Sequence, residues 1–208
     1  MKSQNHLEAA SGSWTQEHAA QLRTMIEGAA WAPFHRRADE KTHRSGKLNS
    51  VVPWRFYILE QSACHSLLNH LKILSEDDPD PKWARAWQSK IKNMLAACGA
   101  LVQVTWLPDP PDEGDTPQFT RNNIEHVAAS AAAVQNLLLA SAARGWYSYW
   151  SSGGILGDEV IFDYLNISRH QALLGSVFLA PVLEDEVTVV DGGLRDQRGA
   201  VEAWARWQ

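Results

Sequence analysis

Cysteine is scarce in this 208-residue sequence, which contains only Cys64 and Cys98. Two cysteines without a C-x-x-C pair supply neither a disulfide framework nor a zinc-ligand pattern. Long hydrophobic runs are also lacking, since no apolar stretch approaches the roughly 18 residues that a membrane span needs. The polar segment 1–12 lacks the apolar core of a signal peptide. These absences predict a soluble protein without a membrane partner, which we expect in the cytoplasm.

An excess of positive charge is lacking as well. Lys and Arg number 19 against 24 Asp and Glu, which gives a formal net charge of −5. Because nucleic-acid binding requires a basic face, this balance argues against nucleic acid as the main partner. Hydrophobic residues make up 45% of the chain, enough to fill a core. With no repeat and no break in composition, we expect a flexible leader at residues 1–13 and a single domain at residues 14–208.

Hydrophobic periodicity and turn signals predict a mixture of helices and strands. The predicted helices cover residues 15–31, 61–74, 81–95, 123–144, 158–165 and 200–207. The predicted strands cover residues 54–59, 100–107, 147–150 and 173–179. The basic segment 34–50 is predicted to be a loop, and its length indicates a functional or disordered segment. The fold class is therefore α+β, with a small mixed or antiparallel sheet flanked by helices.

The longest predicted helix covers residues 123–144. Asn122 and Glu125 have the spacing of a capping box, although Thr116, which precedes a proline, is an alternative start. Gly145 is expected to end the helix. Its first half is mostly Ala and Ser, which allows another backbone to approach closely. We expect this small-residue face to form the two-fold interface of a homodimer.

Several short blocks carry a resemblance to one family. In chain order they are Trp31–His35, Pro53–Phe56, Ala133–Leu139 with Arg144–Trp146, Trp150–Gly153, Leu174–Leu179, and Arg195 with Trp204 nine residues later. They resemble the Ala-Pro, Pro-Trp-x-Phe, central-helix, Trp-x-Ser-Gly and closing Arg-to-Trp blocks of flavin-dependent nitroreductases, in the branch of small bacterial NAD(P)H enzymes. Each block alone is weak, but their order and spacing hold from about residue 15 to residue 207.

The resemblance implies an FMN-binding homodimer that transfers hydride from NAD(P)H to a small nitroaromatic or quinone-like acceptor by a ping-pong mechanism. Because the flavin performs such chemistry, we expect no protein nucleophile and no metal, and protons would come from solvent or His35. A flavin needs an aromatic or apolar wall for its ring and cations for its phosphate. The residues that match these needs are His35, Arg36, Arg37, Trp150, Ser151, Ser152, Gly153 and Arg195. For His35 and Arg195 an ordinary solvated side chain is an equally good interpretation, and Trp150 could be a core residue at the end of a strand.

The sequence departs from the family pattern at the phosphate clamp. Family members open with a helix carrying an Arg-Arg-Ser motif, whereas the segment before Trp14 contains only Lys2 and His6 as possible cations. In addition, residues 36–52 are inserted between the Ala-Pro and Pro-Trp blocks, and they contain five Arg and Lys side chains. Either this basic loop replaces the lost clamp and FMN binds, or the chain is a degenerate homodimer that has lost FMN catalysis and binds another small ligand or a protein partner.

Overall fold

The structure is a computed structural model, and it describes residues 14–38, 48–109, 117–181, 197 and 199–208. Within these residues the helices are α1 (Gln16–Ala29), α2 (Gln61–Asp77), α3 (Pro81–Trp87), α4 (Lys90–Ala97), α5 (Arg121–Ala143) and α6 (Glu159–Tyr164). The strands are β1 (Trp54–Glu60), β2 (Ala100–Trp106), β3 (Tyr147–Ser151) and β4 (Ala172–Ala180). The predicted leader 1–13 and residues 39–47 of the predicted basic loop lie outside the described residues.

The strands form one antiparallel sheet in the order β1-β2-β4-β3. Trp54 of β1 lies opposite Trp106 of β2 at one end of the sheet. Every residue of β2 is buried, as its nearly continuous apolar sequence predicts for an interior strand. On the outer edge, Ser151 of β3 lies opposite Ser176 of β4. The predicted α+β class with a small sheet flanked by helices is confirmed.

Helices cover both faces of this sheet. Neighbouring strand residues point to opposite faces, so Leu101 and Val102 belong to different hydrophobic clusters. The Leu101 side packs against α2, α3 and α4, where Leu67 is fully buried. The Val102 side packs against α1 and α5, where Met25 is fully buried. Each such side chain contributes about 1.5–3 kcal/mol through burial, which fixes both helical layers on the sheet.

The first helix begins where the sequence predicts. Thr15 Oγ1 accepts a hydrogen bond from the backbone N–H of His18 at 3.2 Å, and the Thr15 N–H donates to His18 Nδ1 at 3.3 Å. These reciprocal bonds form a capping box, in which a histidine takes the place of the usual Glu or Gln. The sequence offers Ser13 or Thr15 as the cap of this helix; Thr15 is the cap in the structure, and Ser13 lies outside the described residues.

Two predicted helices differ in the structure. The single helix predicted at 81–95 is divided into α3 and α4, because Ser89 accepts from the backbone N–H of Ile91 at 3.2 Å and starts a new helix. The helix predicted at 200–207 is only a 3₁₀ turn at Val201–Ala203. At Ser89 a single side-chain hydrogen bond starts a new helix, although the apolar periodicity continues through residues 81–95.

The long helix α5 begins earlier than predicted. Its N-cap is Thr120, whose hydroxyl accepts from the N–H of Asn123 at 3.2 Å. The predicted cap at Asn122 is therefore wrong, since this side chain donates to Asp109 Oδ2 at 2.9 Å. Gly145, with φ +75°, follows the C-terminus of the helix as predicted.

The small-residue face of α5 packs within the chain. Ala129 and Ala133 are buried against Ala32 and Trp54, and the two-fold interface expected at this helix stays a prediction. Among the described helices, α5 is long and apolar enough to cross a membrane by length and composition, with 44% of its most apolar window buried.

Candidate functional site

Four predicted flavin-binding residues form one loop where β3 ends. Trp150 and Ser151 are the last two residues of the strand, and Ser152 and Gly153 lead into the 3₁₀ turn Gly154–Gly157. The Trp150 side chain is 36% exposed and Ser152 is exposed, whereas Ser151 and Gly153 are buried. Gly153 has φ +93°, a left-handed conformation that glycine adopts without strain. The loop therefore offers a half-exposed indole beside a sharply turning backbone.

A buried chain of hydrogen bonds holds this loop on the sheet. Ser176 Oγ donates to Gln103 Oε1 at 2.6 Å, and Gln103 Nε2 donates to the Leu156 carbonyl oxygen at 2.7 Å. Gln103 and Ser176 are fully buried. Because a buried polar group without a partner is expensive, these two bonds specify one position for the loop. Gln103 was not among the predicted site residues, and the signal for it is a polar residue between the apolar Val102 and Val104.

A close approach at Gly175 sets the position of the Trp150 ring. The pairing of β2 with β4 shifts register between Val104 and Thr105, which marks a β-bulge beside this glycine. A Cβ atom on Gly175 would lie 2.5 Å from the Ser151 carbonyl oxygen and closer still to Trp150 Nε1. A side chain at Gly175 would therefore displace the indole from the strand.

The second group of predicted residues, 35–37, follows α1 and is exposed. Its neighbours tie it to the start of β1. The N–H of Ala38 donates to the Val51 carbonyl oxygen at 2.9 Å, and the ring of Phe34 meets Trp54 edge-on at a centroid distance of 5.8 Å. The structure thus brings the Ala-Pro block next to the Pro-Trp block.

Arg55 organises the segment that precedes β1. Its side chain is buried and donates to three backbone carbonyl oxygens, at 2.7 Å to Ser50, 2.8 Å to Val52 and 2.8 Å to Trp54. Burial lowers the pKa of Arg55, although Tyr57 opposes this through charge interaction. A cavity of about 250 Å³ opens beside this segment. Because Arg55 donates its hydrogen bonds to backbone carbonyl oxygens, its role is to hold this segment in place. It was not among the predicted site residues.

The two groups lie at the same end of the sheet on opposite edges. β2 and β4 lie between these edge strands, and Ser151 at the end of β3 is level with Tyr57, three residues after the start of β1 at Trp54. Three strand-to-strand steps of about 4.8 Å separate the edges by about 14 Å, and three residues along a strand add an offset of about 10 Å. In the described part of the chain, no hydrogen bond or ion pair joins residues 35–37 to residues 150–153. Arg195 lies outside the described residues.

A second cavity, of about 420 Å³, opens on the helical side of the loop. Its walls include Lys82, Arg85, Ser89, Lys90, Ser151 and Ser152. Lys82 Nζ lies 2.8 Å from Asp158 Oδ2, and this hydrogen bond raises the pKa of Lys82. The cations predicted from the sequence belong to residues 36–52 instead. No spacing pattern connects residues 82–90 with residues 151–152, because tertiary packing alone brings them together.

Comparisons with known proteins identify the fold. No protein-family model matches the chain, and no curated protein matches it significantly. Among solved structures, the chain is similar to the nitroreductase-like family protein from Bacillus cereus, with a TM-score of 0.58 and 17% identity over 97% of this chain and 92% of that one. It is also similar to nitroreductase CinD from Lactococcus lactis in complex with chloramphenicol, with a TM-score of 0.56 and 17% identity over 96% and 94%. A nitroreductase with bound FMN from Bacteroides fragilis gives a TM-score of 0.52 and 19% identity over 89% and 91%. The protein therefore has a nitroreductase-like fold.

Proposed function

We propose that this protein is an FMN-dependent oxidoreductase that transfers hydride from NAD(P)H to a small nitroaromatic or quinone-like acceptor by a ping-pong mechanism. The observation that carries the proposal is the half-exposed Trp150 beside the glycine turn, at the end of a sheet in a nitroreductase-like fold. A flat aromatic wall next to the exposed Ser152 suits a flat ring with a polar edge.

The charged groups at the other edge of the sheet support the same ligand. Arg36 and Arg37 are exposed, and no acidic side chain in the described part of the chain forms an ion pair with either. Guanidinium groups bind phosphate through paired hydrogen bonds. FMN carries its ring and its phosphate at opposite ends of a ribityl chain. The separation of about 14 Å across the sheet and about 10 Å along it, about 17 Å in all, is therefore compatible with one extended molecule.

Bound FMN would supply a ring that accepts hydride from the dinucleotide and then passes it to the acceptor. The residues of this chain would bind and orient the flavin. Trp150 would shield the ring from water, and the exposed Ser152 would offer hydrogen bonds to its polar edge. Gly153, whose N–H donates to Ser151 Oγ, would shape the turn beside the ring. Arg36 and Arg37 would hold the phosphate. Protons would come from solvent or from the exposed His35.

We also propose that the protein is a homodimer. The outward face of α5 repeats Ile124, Ala128, Gln135, Leu139 and Ala142 at helical spacing, and all five are exposed. Ile124 and Leu139 are 45% and 57% exposed, which is unusual for a face in permanent contact with water. A two-fold interface would cover this face. Sedimentation as a monomer at micromolar concentration would exclude the dimer.

The test is the visible spectrum of the purified full chain during titration with FMN, followed by anaerobic addition of NADPH. We expect the flavin bands to shift on binding and to bleach on reduction. Trp150→Leu and the double substitution Arg36→Gln with Arg37→Gln should each weaken FMN binding about tenfold or more, because one or two charge-assisted or ring contacts are lost. Tyr164→Leu is the matched control, since Tyr164 is 38% exposed, close to the value for Trp150, and lies in α6 away from the loop.

Unchanged flavin bands at millimolar FMN would overturn this proposal. They would instead favour the alternative of a degenerate nitroreductase-like protein that binds another small ligand or a protein partner. If Trp150→Leu and Tyr164→Leu weaken FMN binding equally, the loop after β3 is not part of the FMN site, although the protein still binds FMN.

A further inference from the structure

The cavity of about 420 Å³ between the α3–α4 connection and the loop after β3 is strongly basic. Lys82 is neutralised, because Asp158 and Asp80 lie 2.8 Å and 3.6 Å from its Nζ. Arg85 is exposed, and no acidic side chain in the described ranges pairs with it. Lys90 also lacks an acidic partner among those residues. Two positive charges therefore remain uncompensated at one cavity of a chain with a net charge of −5.

The Lys90 ammonium group is held in place by an aromatic side chain. Its Nζ donates to the hydroxyl of Tyr149 at 2.7 Å and lies 4.9 Å from the centroid of the same ring. Neither contact neutralises the charge. A fixed cation that still lacks a counter-ion is a better anion receptor than a freely moving lysine, because less side-chain entropy is lost on binding.

Hydroxyl groups complete the wall of the cavity. Ser152 is exposed at the tip of the loop, and the Ser151 hydroxyl accepts from the N–H of Gly153 at 3.2 Å, which leaves its own proton free to donate. The cations come from α3 and α4, and the hydroxyl groups come from the loop after β3. Anion binding at this point would therefore join the helical layer to the loop that carries Trp150.

We propose that this cavity binds the phosphate or pyrophosphate group of a small organic ligand. Arg85 offers a planar pair of donors that matches two phosphate oxygens, and Lys90 offers a point charge. The volume lies within the range of about 300–1,000 Å³ that is typical of small-molecule sites, so an organic group fits beside the phosphate. The ligand is either the pyrophosphate-bearing dinucleotide of the proposed reaction or a separate phosphorylated metabolite.

Isothermal titration of the full chain with inorganic pyrophosphate tests the proposal without any flavin. We expect saturable binding that weakens as salt is raised, and about tenfold weaker binding for Arg85→Gln and for Lys90→Gln. Lys92→Gln is the matched control, because Lys92 lies in the same helix but outside the cavity, over the ring of Trp87. Thermal melts of all three variants confirm that each one folds. No measurable binding by the unmodified protein, or equal losses in Lys92→Gln and Arg85→Gln, would overturn the proposal.

The source of the phosphate is tested separately, in FMN-loaded protein with NADPH as the varied substrate. A KM about tenfold higher in Arg85→Gln, with a much smaller change in kcat, supports the dinucleotide as the ligand. An unchanged KM together with weakened pyrophosphate binding supports a separate phosphorylated metabolite. If the protein binds no flavin, the proposed function fails, yet the pyrophosphate titration still decides whether the cavity binds phosphate.

Discussion

The indole of Trp150 lies directly against the backbone of Gly175 on the neighbouring strand. A Cβ atom at residue 175 would come within 2.5 Å of the Ser151 carbonyl oxygen and closer still to Trp150 Nε1. The position of the aromatic side chain in the candidate site therefore depends on a missing side chain in β4. A glycine in a strand often marks such a close approach, and here the register shift in β4 accompanies it.

Gly175→Ala should destabilise the protein by about 2–4 kcal/mol, because the new methyl group must displace the Trp150 ring or the β3 backbone. The free energy of unfolding in urea measures this loss. Gly28→Ala is the matched control in α1, where a new Cβ would meet only the Ala140 Cβ at an ordinary 3.8 Å. That change should raise stability by up to about 1 kcal/mol, since alanine favours a helix. Equal stability of the two variants would contradict the close packing at Gly175.

Gln103→Met should loosen the loop after β3. The substitution keeps the side-chain length but leaves the Ser176 hydroxyl and the Leu156 carbonyl oxygen without their partner, at a cost of about 2–4 kcal/mol. Faster amide hydrogen exchange across residues 151–157 should accompany the lost stability. Gln88→Met, an exposed change after α3, should alter neither quantity. Unchanged exchange in Gln103→Met would show that other contacts hold the loop.

The two cysteine thiols should be unreactive in the folded protein. Cys64 and Cys98 are fully buried, and their thiols donate to the carbonyl oxygens of Leu59 and Leu95. The neighbouring Cys64 thiol, together with burial, raises the pKa of Cys98. Because the thiolate is the reactive form, Ellman's reagent should label neither cysteine in native protein at pH 8. It should label both in urea, as expected for free cysteines. Rapid labelling of one thiol without urea would contradict the burial.

His70 should make stability depend on pH. Its ring stacks on Tyr164 at 4.2 Å, its Nε2 is buried and unpartnered among the described residues, and burial lowers the pKa of His70. A lowered pKa means that the unfolded chain binds the proton more readily than the folded one. The contribution to stability is therefore complete above pH 6.5, roughly the unfolded value, and is lost as pH falls through that value towards the folded pKa.

Urea unfolding at pH 7.5 and 5.5 checks this dependence. His70→Gln should lose less stability between the two pH values than the unmodified protein. His65→Gln, an exposed change in the same helix, should behave like the unmodified protein. An identical pH response of all three proteins would exclude His70 as the titrating group.

Much of the fold follows from local sequence pattern. The apolar run that became β2 predicts an interior strand, and the periodicity of residues 16–29 predicts a helix that begins at Thr15. Exact helix boundaries were harder to predict. Ser89 divides one predicted helix into two, and Thr120 rather than Asn122 caps α5. Each boundary depends on a single hydrogen bond among several similar candidates, which sequence spacing does not rank.

The candidate site likewise has one part that the sequence predicts and another that it does not. Residues 150–153 lie next to one another in the chain, so a strand followed by a glycine turn was predictable there, and φ +93° at Gly153 agrees with it. The contacts with Gly175 and Gln103, and the cations of α3 and α4 beside the loop, join elements that are distant in sequence. They follow from the order of the strands and from the packing of helices on one face. Residues that are neighbours in the chain determine local conformation. The grouping of charged side chains and the close packing across the sheet arise only when the helical layers pack on the strands.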